Sequence, residues 1–154
     1  PLLYLKNESQ GVSTIGQEME LDENSRFLVI SGPNAGGKSI TLKTVGLLQM
    51  MFQCGLFLSM DENSSCAWFN QIFSDIGDNQ SIENQLSTYS YRLNRMNFFL
   101  ENANSETLLL LDEFGSGSDP ELGGALAEVF YTELYNKMCY AVITTHYTLS
   151  LIHI

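Results

Sequence analysis

Apolar residues along this chain alternate between short continuous runs and longer stretches with helical spacing. The continuous runs predict buried strands at Arg26–Ser31, Cys66–Phe73, Thr107–Leu111 and Cys139–Thr144. The stretches with helical spacing predict one helix after residues 32–39 to about Gly55, one over about Thr88–Asn102, and one from Pro120 onward. Because strands alternate with helices, we expect an α/β fold with a mostly parallel central sheet flanked by helices.

One part of the chain fits this alternation less well. Residues 1–20 are interrupted by polar side chains, and we expect them to be extended, with an edge strand and a turn at Asn7 to Gly11. In the first predicted helix, the residues that recur at helical spacing are Ile40, Leu42, Val45, Leu48, Gln49 and Phe52.

A glycine-rich segment joins the first strand to this helix. It reads Gly32-Pro33-Asn34-Ala35-Gly36-Gly37-Lys38-Ser39 and fits the pattern G-x-x-x-x-G-K-[ST]. Glycines allow backbone N–H groups to turn around a polyphosphate, and the helix N-terminus adds partial positive charge. Lys38 would bind the β- and γ-phosphates, the Ser39 hydroxyl would ligate Mg²⁺, and Ile40 completes the candidate nucleotide contacts. The alternative is a glycine-rich turn that matches the pattern by chance.

The run of four leucines at 108–111 ends in Asp112 and Glu113. A central parallel strand delivers such residues to the carboxyl edge of the sheet, where α/β proteins bind ligands. We expect Asp112 to hold the Mg²⁺ shell, usually through water, and Glu113 to polarise the water that attacks the γ-phosphate. An isolated Asp-Glu pair is more often a solvated turn, but its place after a buried strand and alongside a phosphate loop favours a site.

Composition narrows the possible functions. The chain has 154 residues, 44% of them apolar and 16% charged, which is typical of one globular domain. No apolar run approaches the roughly 18 residues that a membrane span requires, so we expect no membrane contact. The three widely spaced cysteines predict reduced, mostly buried thiols and a cytoplasmic protein. The net charge of −11 argues against direct nucleic-acid contact by this segment.

The segment Gly32–Ser39, the Asp112-Glu113 pair and the segment Thr144-Thr145-His146-Tyr147 together resemble the MutS family of ATPases, whose nucleotide site is of the ABC type. Three further segments are similar to the branch of this family that carries an Smr nuclease domain. They are Asp75–Glu83, Leu86–Ser90 and Gly115–Pro120. The resemblance covers about residues 20–148 and implies an ABC-type P-loop ATPase core that uses ATP and Mg²⁺.

The resemblance also implies a homodimer with composite ATP sites, in which one subunit supplies the phosphate loop and its partner supplies a serine. Ser87 matches that serine, and the alternative is an ordinary N-cap. His146 matches a residue that senses the γ-phosphate, which makes Lys38, Glu113 and His146 the candidate catalytic residues. Gln80 matches the residue that links metal and nucleotide to the helical subdomain.

Two further assignments from the resemblance concern the loop and the tail. Ser118 and Asp119 match a loop that crosses the dimer interface, although turn chemistry before Pro120 would also explain them. Residues 149–154 do not look like the family's continuation, so His153 receives no role. We therefore expect residues 1–154 to form one partial ATPase domain, truncated at the C-terminal edge of its sheet.

For the whole protein, the resemblance implies a nucleotide-driven dimer that controls a clamp on branched or mismatched DNA or on stalled ribosomes. Endonuclease activity would reside in an Smr domain outside this chain. Two alternatives remain open: a transporter nucleotide-binding subunit, and a nucleotide-dependent dimerisation module that does not hydrolyse ATP. The glycine-free segment Leu86–Ser90 counts against the first, and Glu113 counts against the second.

Overall fold

The computed structural model describes residues 2–32, 36–77, 85–113 and 120–145. Helices and strands follow one another in the order α1 (Leu2–Ser9), β1 (Phe27–Ser31), α2 (Lys38–Gln53), β2 (Gln71–Asp75), α3 (Gln85–Asn102), β3 (Thr107–Leu111), α4 (Pro120–Asn136) and β4 (Tyr140–Thr145). The predicted α/β alternation from residue 26 onward is confirmed in this part of the chain.

The four strands form one parallel sheet in the order β1-β4-β3-β2. In this order β4, the last strand in the chain, lies between β1 and β3. Val29 pairs with Ile143, and Leu109 pairs with both Ala141 and Phe73. Because all four strands are parallel, their carboxyl ends meet at the same edge of the sheet.

Helices cover both faces of the sheet. On one face, α3 and α4 bury Phe99, Phe130 and Leu134 against Leu109 and Leu111 of β3. On the other face, α2 places the fully buried Leu42 against a second set of strand residues, Leu108, Leu110 and Val142. Strand β3 is therefore buried on both faces, which explains its uninterrupted run of leucines.

Close packing of α2 on the sheet depends on Gly46. A Cβ atom at this position would lie 2.6 Å from Cδ1 of Leu110, a side chain that is itself only 2% exposed. We expect Gly46→Val to destabilise the protein by about 1–3 kcal/mol in urea unfolding, because the added methyl groups overpack this contact. Gly124→Val in α4 is the matched control, since a Cβ there meets nothing within 4 Å. The packing argument is wrong if both substitutions shift the unfolding midpoint equally.

The predicted strand at 66–73 is wrong in its position, because β2 covers Gln71–Asp75. Glutamine side chains of α2 compete for the backbone of the earlier residues. Nε2 of Gln49 donates a hydrogen bond to the carbonyl oxygen of Ala67 (2.8 Å), and Nε2 of Gln53 donates one to that of Phe69 (2.9 Å). These side chains satisfy backbone groups that a strand would otherwise pair, and the pairing with β3 starts only at Gln71.

The first residues also differ from expectation, because Leu2–Ser9 form a helix and residues 12–26 form no strand. Tyr4 and Leu5 are largely exposed, so local helix propensity, led by leucine, decides this conformation. The turn predicted over Asn7 to Gly11 is confirmed only at Gln10 and Gly11, because residues 7–9 belong to α1; Gly11 has a φ of 67° and its N–H donates to the carbonyl oxygen of Glu8.

Other boundaries lie close to the predictions. The end of α2 at Gln53 is followed by Gly55 with a φ of 70°, as a glycine helix stop requires. Helix α3 begins at Gln85, three residues before the predicted start, because Gln85 and Leu86 are themselves good helix formers. Ile40 is 72% exposed and does not belong to the buried face of α2.

All three cysteines are free, as predicted, but they are not mostly buried. Cys54 is exposed because it follows the end of α2, and Cys66 is half-buried in the loop before β2. Only Cys139 is buried, and its burial raises the pKa of the thiol to about 11. Among the helices of the described ranges, none is long and apolar enough to cross a membrane.

Candidate functional site

Two strands bring predicted site residues to the carboxyl edge of the sheet, and a third strand ends at the same edge. Strand β1 leads into Gly32, β3 leads into Asp112 and Glu113, and β4 ends in Thr144 and Thr145. Since β4 lies between β1 and β3, the end of β4 separates the glycine-rich segment from the carboxylates.

The glycine-rich segment has the backbone conformations that glycine favours. Gly32 has a φ of 147° and Gly37, the N-cap of α2, has a φ of 79°. Lys38 opens α2 and is 4% exposed, and its Nζ donates a hydrogen bond to the carbonyl oxygen of Gly32. The lysine side chain is therefore folded back along the segment, with its ammonium group near the point where β1 ends.

The start of α2 is suited to an anion. The first N–H groups of a helix have no partner within the helix and carry partial positive charge. Gly37 has no side chain with which to cap them, and its φ is left-handed. An anion held against the first turn of α2 would accept these N–H groups.

Ser39 and Asp112 are in contact although 73 positions separate them in the sequence. The Ser39 hydroxyl donates a hydrogen bond of 3.1 Å to Oδ1 of Asp112. The Thr144 hydroxyl donates to the same oxygen at 2.5 Å. The backbone N–H of Asp112 donates to the carbonyl oxygen of Asp75 at the end of β2, which fixes the residue in the sheet edge (2.9 Å).

Glu113 follows in a left-handed backbone conformation with a φ of 50°. Such a conformation is uncommon for a residue with a side chain and marks a constrained position. The N–H of Glu113 donates to the carbonyl oxygen of Thr144 at 3.1 Å and to its hydroxyl at 3.0 Å. Strand β4 thus holds the backbone of Glu113 beside Asp112.

The oxygen atoms at this edge fit Mg²⁺. This ion takes one or two protein ligands and keeps several waters or phosphate oxygens, so it does not need a cage made only of protein. Ser39 and Asp112 supply one hydroxyl and one carboxylate 3.1 Å apart. In the described ranges no group of three or more His, Cys, Asp or Glu residues could hold a metal ion.

The structure describes only part of the predicted site. Gly32, Gly36, Gly37, Lys38, Ser39, Asp112 and Glu113 lie at the carboxyl edge or in the turn that leads to it. Ile40 lies in the first turn of α2 with an exposed side chain, so only its backbone is placed to contact a ligand at the helix start.

Ser87 lies in the first turn of α3, two residues after the helix begins, and is therefore not its N-cap. Its side chain is outside the described part of the structure. The remaining predicted residues lie outside the described residues altogether: Pro33, Asn34, Ala35, Gln80, Ser118, Asp119, His146 and His153.

The sequence analysis missed Thr144 as a site residue. Its side chain is fully buried and contacts both Asp112 and Glu113. The available signal was a pair of threonines at the end of an apolar strand, where a hydroxyl needs a polar partner. That partner becomes visible only once β4 is known to be the neighbour of β3.

Comparison with known proteins agrees with the motifs. The family model described as MutS domain V matches residues 28–153. Endonuclease MutS2 of Lactobacillus acidophilus is 52% identical over 120 residues, covering 78% of this chain and 15% of the relative. Endonuclease MutS2 of Shouchella clausii is 46% identical over 134 residues, covering 87% of this chain and 17% of the relative. The chain thus spans 15–17% of the length of these curated relatives. The chain belongs to the MutS family, within its MutS-like, Smr-bearing branch.

Proposed function

We propose that this chain is the ATP-binding and hydrolysing core of a MutS-like protein, with an ABC-type P-loop site. The observation that carries the proposal is the hydrogen bond of 3.1 Å between Ser39 and Asp112. This hydrogen bond joins the start of α2 to the end of β3. The proposed phosphate-binding and metal-binding residues therefore lie at the same edge of the sheet.

Each group of the proposed site has a role that follows from its chemistry. Backbone N–H groups of residues 32–39 bind the phosphates, and the Lys38 ammonium pairs with the β- and γ-phosphates. Ser39 and Asp112 hold Mg²⁺, which when bound neutralises charge on the phosphates. Glu113 orients the attacking water and accepts its proton. These residues come from two separate segments of the chain, 32–39 and 112–113.

A dimer with two shared ATP sites completes the proposal. Ser87 of one subunit reaches the γ-phosphate held by the other, and His146 senses that phosphate. Gln80 links nucleotide and metal to the helical subdomain, and Ser118 and Asp119 contribute to the dimer interface. The position of Ser87 in the first turn of α3 supports its part, because the N–H groups of a first turn have no partner within the helix.

In the whole protein, closure of the dimer on ATP would control a clamp on branched or mismatched DNA or on stalled ribosomes. Two relatives carry the name endonuclease MutS2, and we assign the corresponding nuclease activity to an Smr domain outside this chain. The net charge of −11 on this chain supports the proposal that other parts of the whole protein contact nucleic acid. We place the protein in the cytoplasm.

The dimer proposal predicts that ATP turnover per chain depends on protein concentration. We expect turnover in the presence of Mg²⁺ to rise with concentration and to level off once the protein is dimeric by light scattering. Removal of Mg²⁺ with EDTA should abolish turnover at every concentration. Constant turnover per chain in a demonstrably monomeric sample would contradict the shared site, and ATP-dependent dimerisation without turnover would support the non-hydrolysing alternative.

A further inference from the structure

We propose that Thr144 is a positioning residue of the hydrolytic site, which holds the backbone of Glu113 and the carboxylate of Asp112 in one fixed arrangement. The inference rests on the proposed function and extends it to a residue that acts through Glu113 and Asp112. It concerns the rate of hydrolysis and not the affinity for ATP.

One hydroxyl group links both acidic residues. Oγ1 of Thr144 accepts a hydrogen bond from the N–H of Glu113 at 3.0 Å and donates its own proton to Oδ1 of Asp112 at 2.5 Å. A hydroxyl has one proton and two acceptor lone pairs, so these two contacts use it as a bridge with a defined direction. The Thr144 side chain is fully buried.

The bridge acts on the residue with the most constrained backbone in the site. Glu113 has a φ of 50°, which a residue with a side chain adopts only when its surroundings enforce it. Its N–H group makes two contacts with Thr144, one with the carbonyl oxygen and one with the hydroxyl. Loss of the hydroxyl removes one of these two and allows the Glu113 backbone to relax.

The same substitution should leave the other partner of Asp112 in place. The Ser39 hydroxyl also donates to Oδ1 of Asp112, at 3.1 Å. Lys38 donates its hydrogen bond to the carbonyl oxygen of Gly32, within the glycine-rich segment itself. Removal of the Thr144 hydroxyl should therefore slow hydrolysis much more than it weakens nucleotide binding.

The test compares Thr144→Val, which removes the hydroxyl at nearly constant shape, with Thr144→Ser, which retains it. We expect Thr144→Val to lower kcat by about 10- to 100-fold, as for other groups that orient a catalytic residue, with KM for Mg–ATP changed by less than about threefold. Thr144→Ser should stay within about threefold of the wild-type kcat. Equal losses of kcat in the two variants, or an unchanged kcat in Thr144→Val, would overturn the proposal.

Thr107→Val is the matched control for the loss of a buried hydroxyl. Thr107, at the amino end of the neighbouring strand β3, is also fully buried, and its hydroxyl bonds to Asn104 and to Gln71 of β2. The Thr107→Val variant should have a lower thermal midpoint of unfolding, as Thr144→Val should, but it should keep the wild-type kcat. If Thr107→Val loses as much kcat as Thr144→Val, the effect is one of stability, and the proposal is wrong. Thr144→Ala repeats the test should the valine variant fail to fold.

Amide hydrogen exchange tests the positioning role of Thr144 independently of the proposed ATPase function. The N–H of Glu113 should exchange at least about tenfold faster in Thr144→Val than in Thr144→Ser, because one of its acceptors is lost. This readout needs no ATP turnover. A wild-type protein without ATPase activity would refute the proposed function alone, whereas equal exchange rates in the two variants would refute the positioning role.

Discussion

Replacement of Glu113 by glutamine is expected to lower ATP turnover by about 10²–10⁴-fold, the usual contribution of a positioned general base. The amide keeps the size of the side chain and its ability to orient water, but it cannot accept the proton of the attacking water. Nucleotide affinity should persist, since the phosphates contact residues 32–39. Single-turnover hydrolysis and equilibrium binding of ATP, measured on the same sample, separate these two effects.

Glu133→Gln is the matched control for the loss of one carboxylate charge. Glu133 lies exposed on α4, away from the carboxyl edge, and its replacement should leave turnover unchanged. A Glu113→Gln variant that retains wild-type turnover would remove the hydrolytic role from this residue. A variant that loses ATP binding instead would indicate that Glu113 supports the nucleotide and not the water.

Asp112→Asn is expected to lower Mg²⁺-dependent turnover by about 10²–10³-fold, because an amide offers the ion a neutral and weaker ligand. The substitution keeps a polar oxygen for the hydroxyls of Ser39 and Thr144, which both donate to Oδ1 of Asp112. The fold should therefore survive. ATP affinity measured with and without Mg²⁺ should differ in the wild type and become nearly equal in the variant.

The comparison with and without metal provides its own control. Treatment of the wild-type protein with EDTA should reproduce the affinity of Asp112→Asn, since both remove the metal contribution. If the variant binds ATP as the wild type does and still responds to Mg²⁺, the ion lies elsewhere. A second control is Glu133→Gln, which should keep the full response to Mg²⁺.

The sequence predicted those elements whose identity depends on local pattern alone. Strand β3 at Thr107–Leu111 was predicted to the residue, because four consecutive leucines favour a strand that is buried on both faces. Gly55 was predicted to end α2 for an equally local reason, since a left-handed residue must follow the helix.

Elements that depend on distant partners were predicted less well. Residues 66–70 have the composition of a strand, but their backbone groups bond to two glutamines of α2. Gln49 donates to the carbonyl oxygen of Ala67, and Gln53 donates to the carbonyl oxygen of Phe69 and accepts from its N–H. No pattern within residues 66–73 indicates those side chains. The helix Leu2–Ser9 was missed because its sequence lacks the apolar periodicity of a helix with one buried face, and Tyr4 and Leu5 are exposed.

The candidate site shows the same difference between features that depend on a local pattern and features that depend on distant partners. The segment Gly32–Ser39 and the pair Asp112-Glu113 could be predicted because each has a recognisable motif. Thr144 lies in a segment that the sequence also singled out, but its contacts with both carboxylates follow from the strand order β1-β4-β3, which places the end of β4 beside them. Strand order is a property of the whole sheet, so the local sequence of β4 does not indicate these partners.

The most direct test of the central claim is a crystal structure of the protein with a non-hydrolysable ATP analogue and Mn²⁺ in place of Mg²⁺. Our account predicts an anomalous peak for the ion within about 2 Å of the Ser39 hydroxyl and next to Asp112, with the triphosphate enclosed by residues 32–39. A nucleotide bound elsewhere, or an ion that contacts neither Ser39 nor the waters around Asp112, would contradict it.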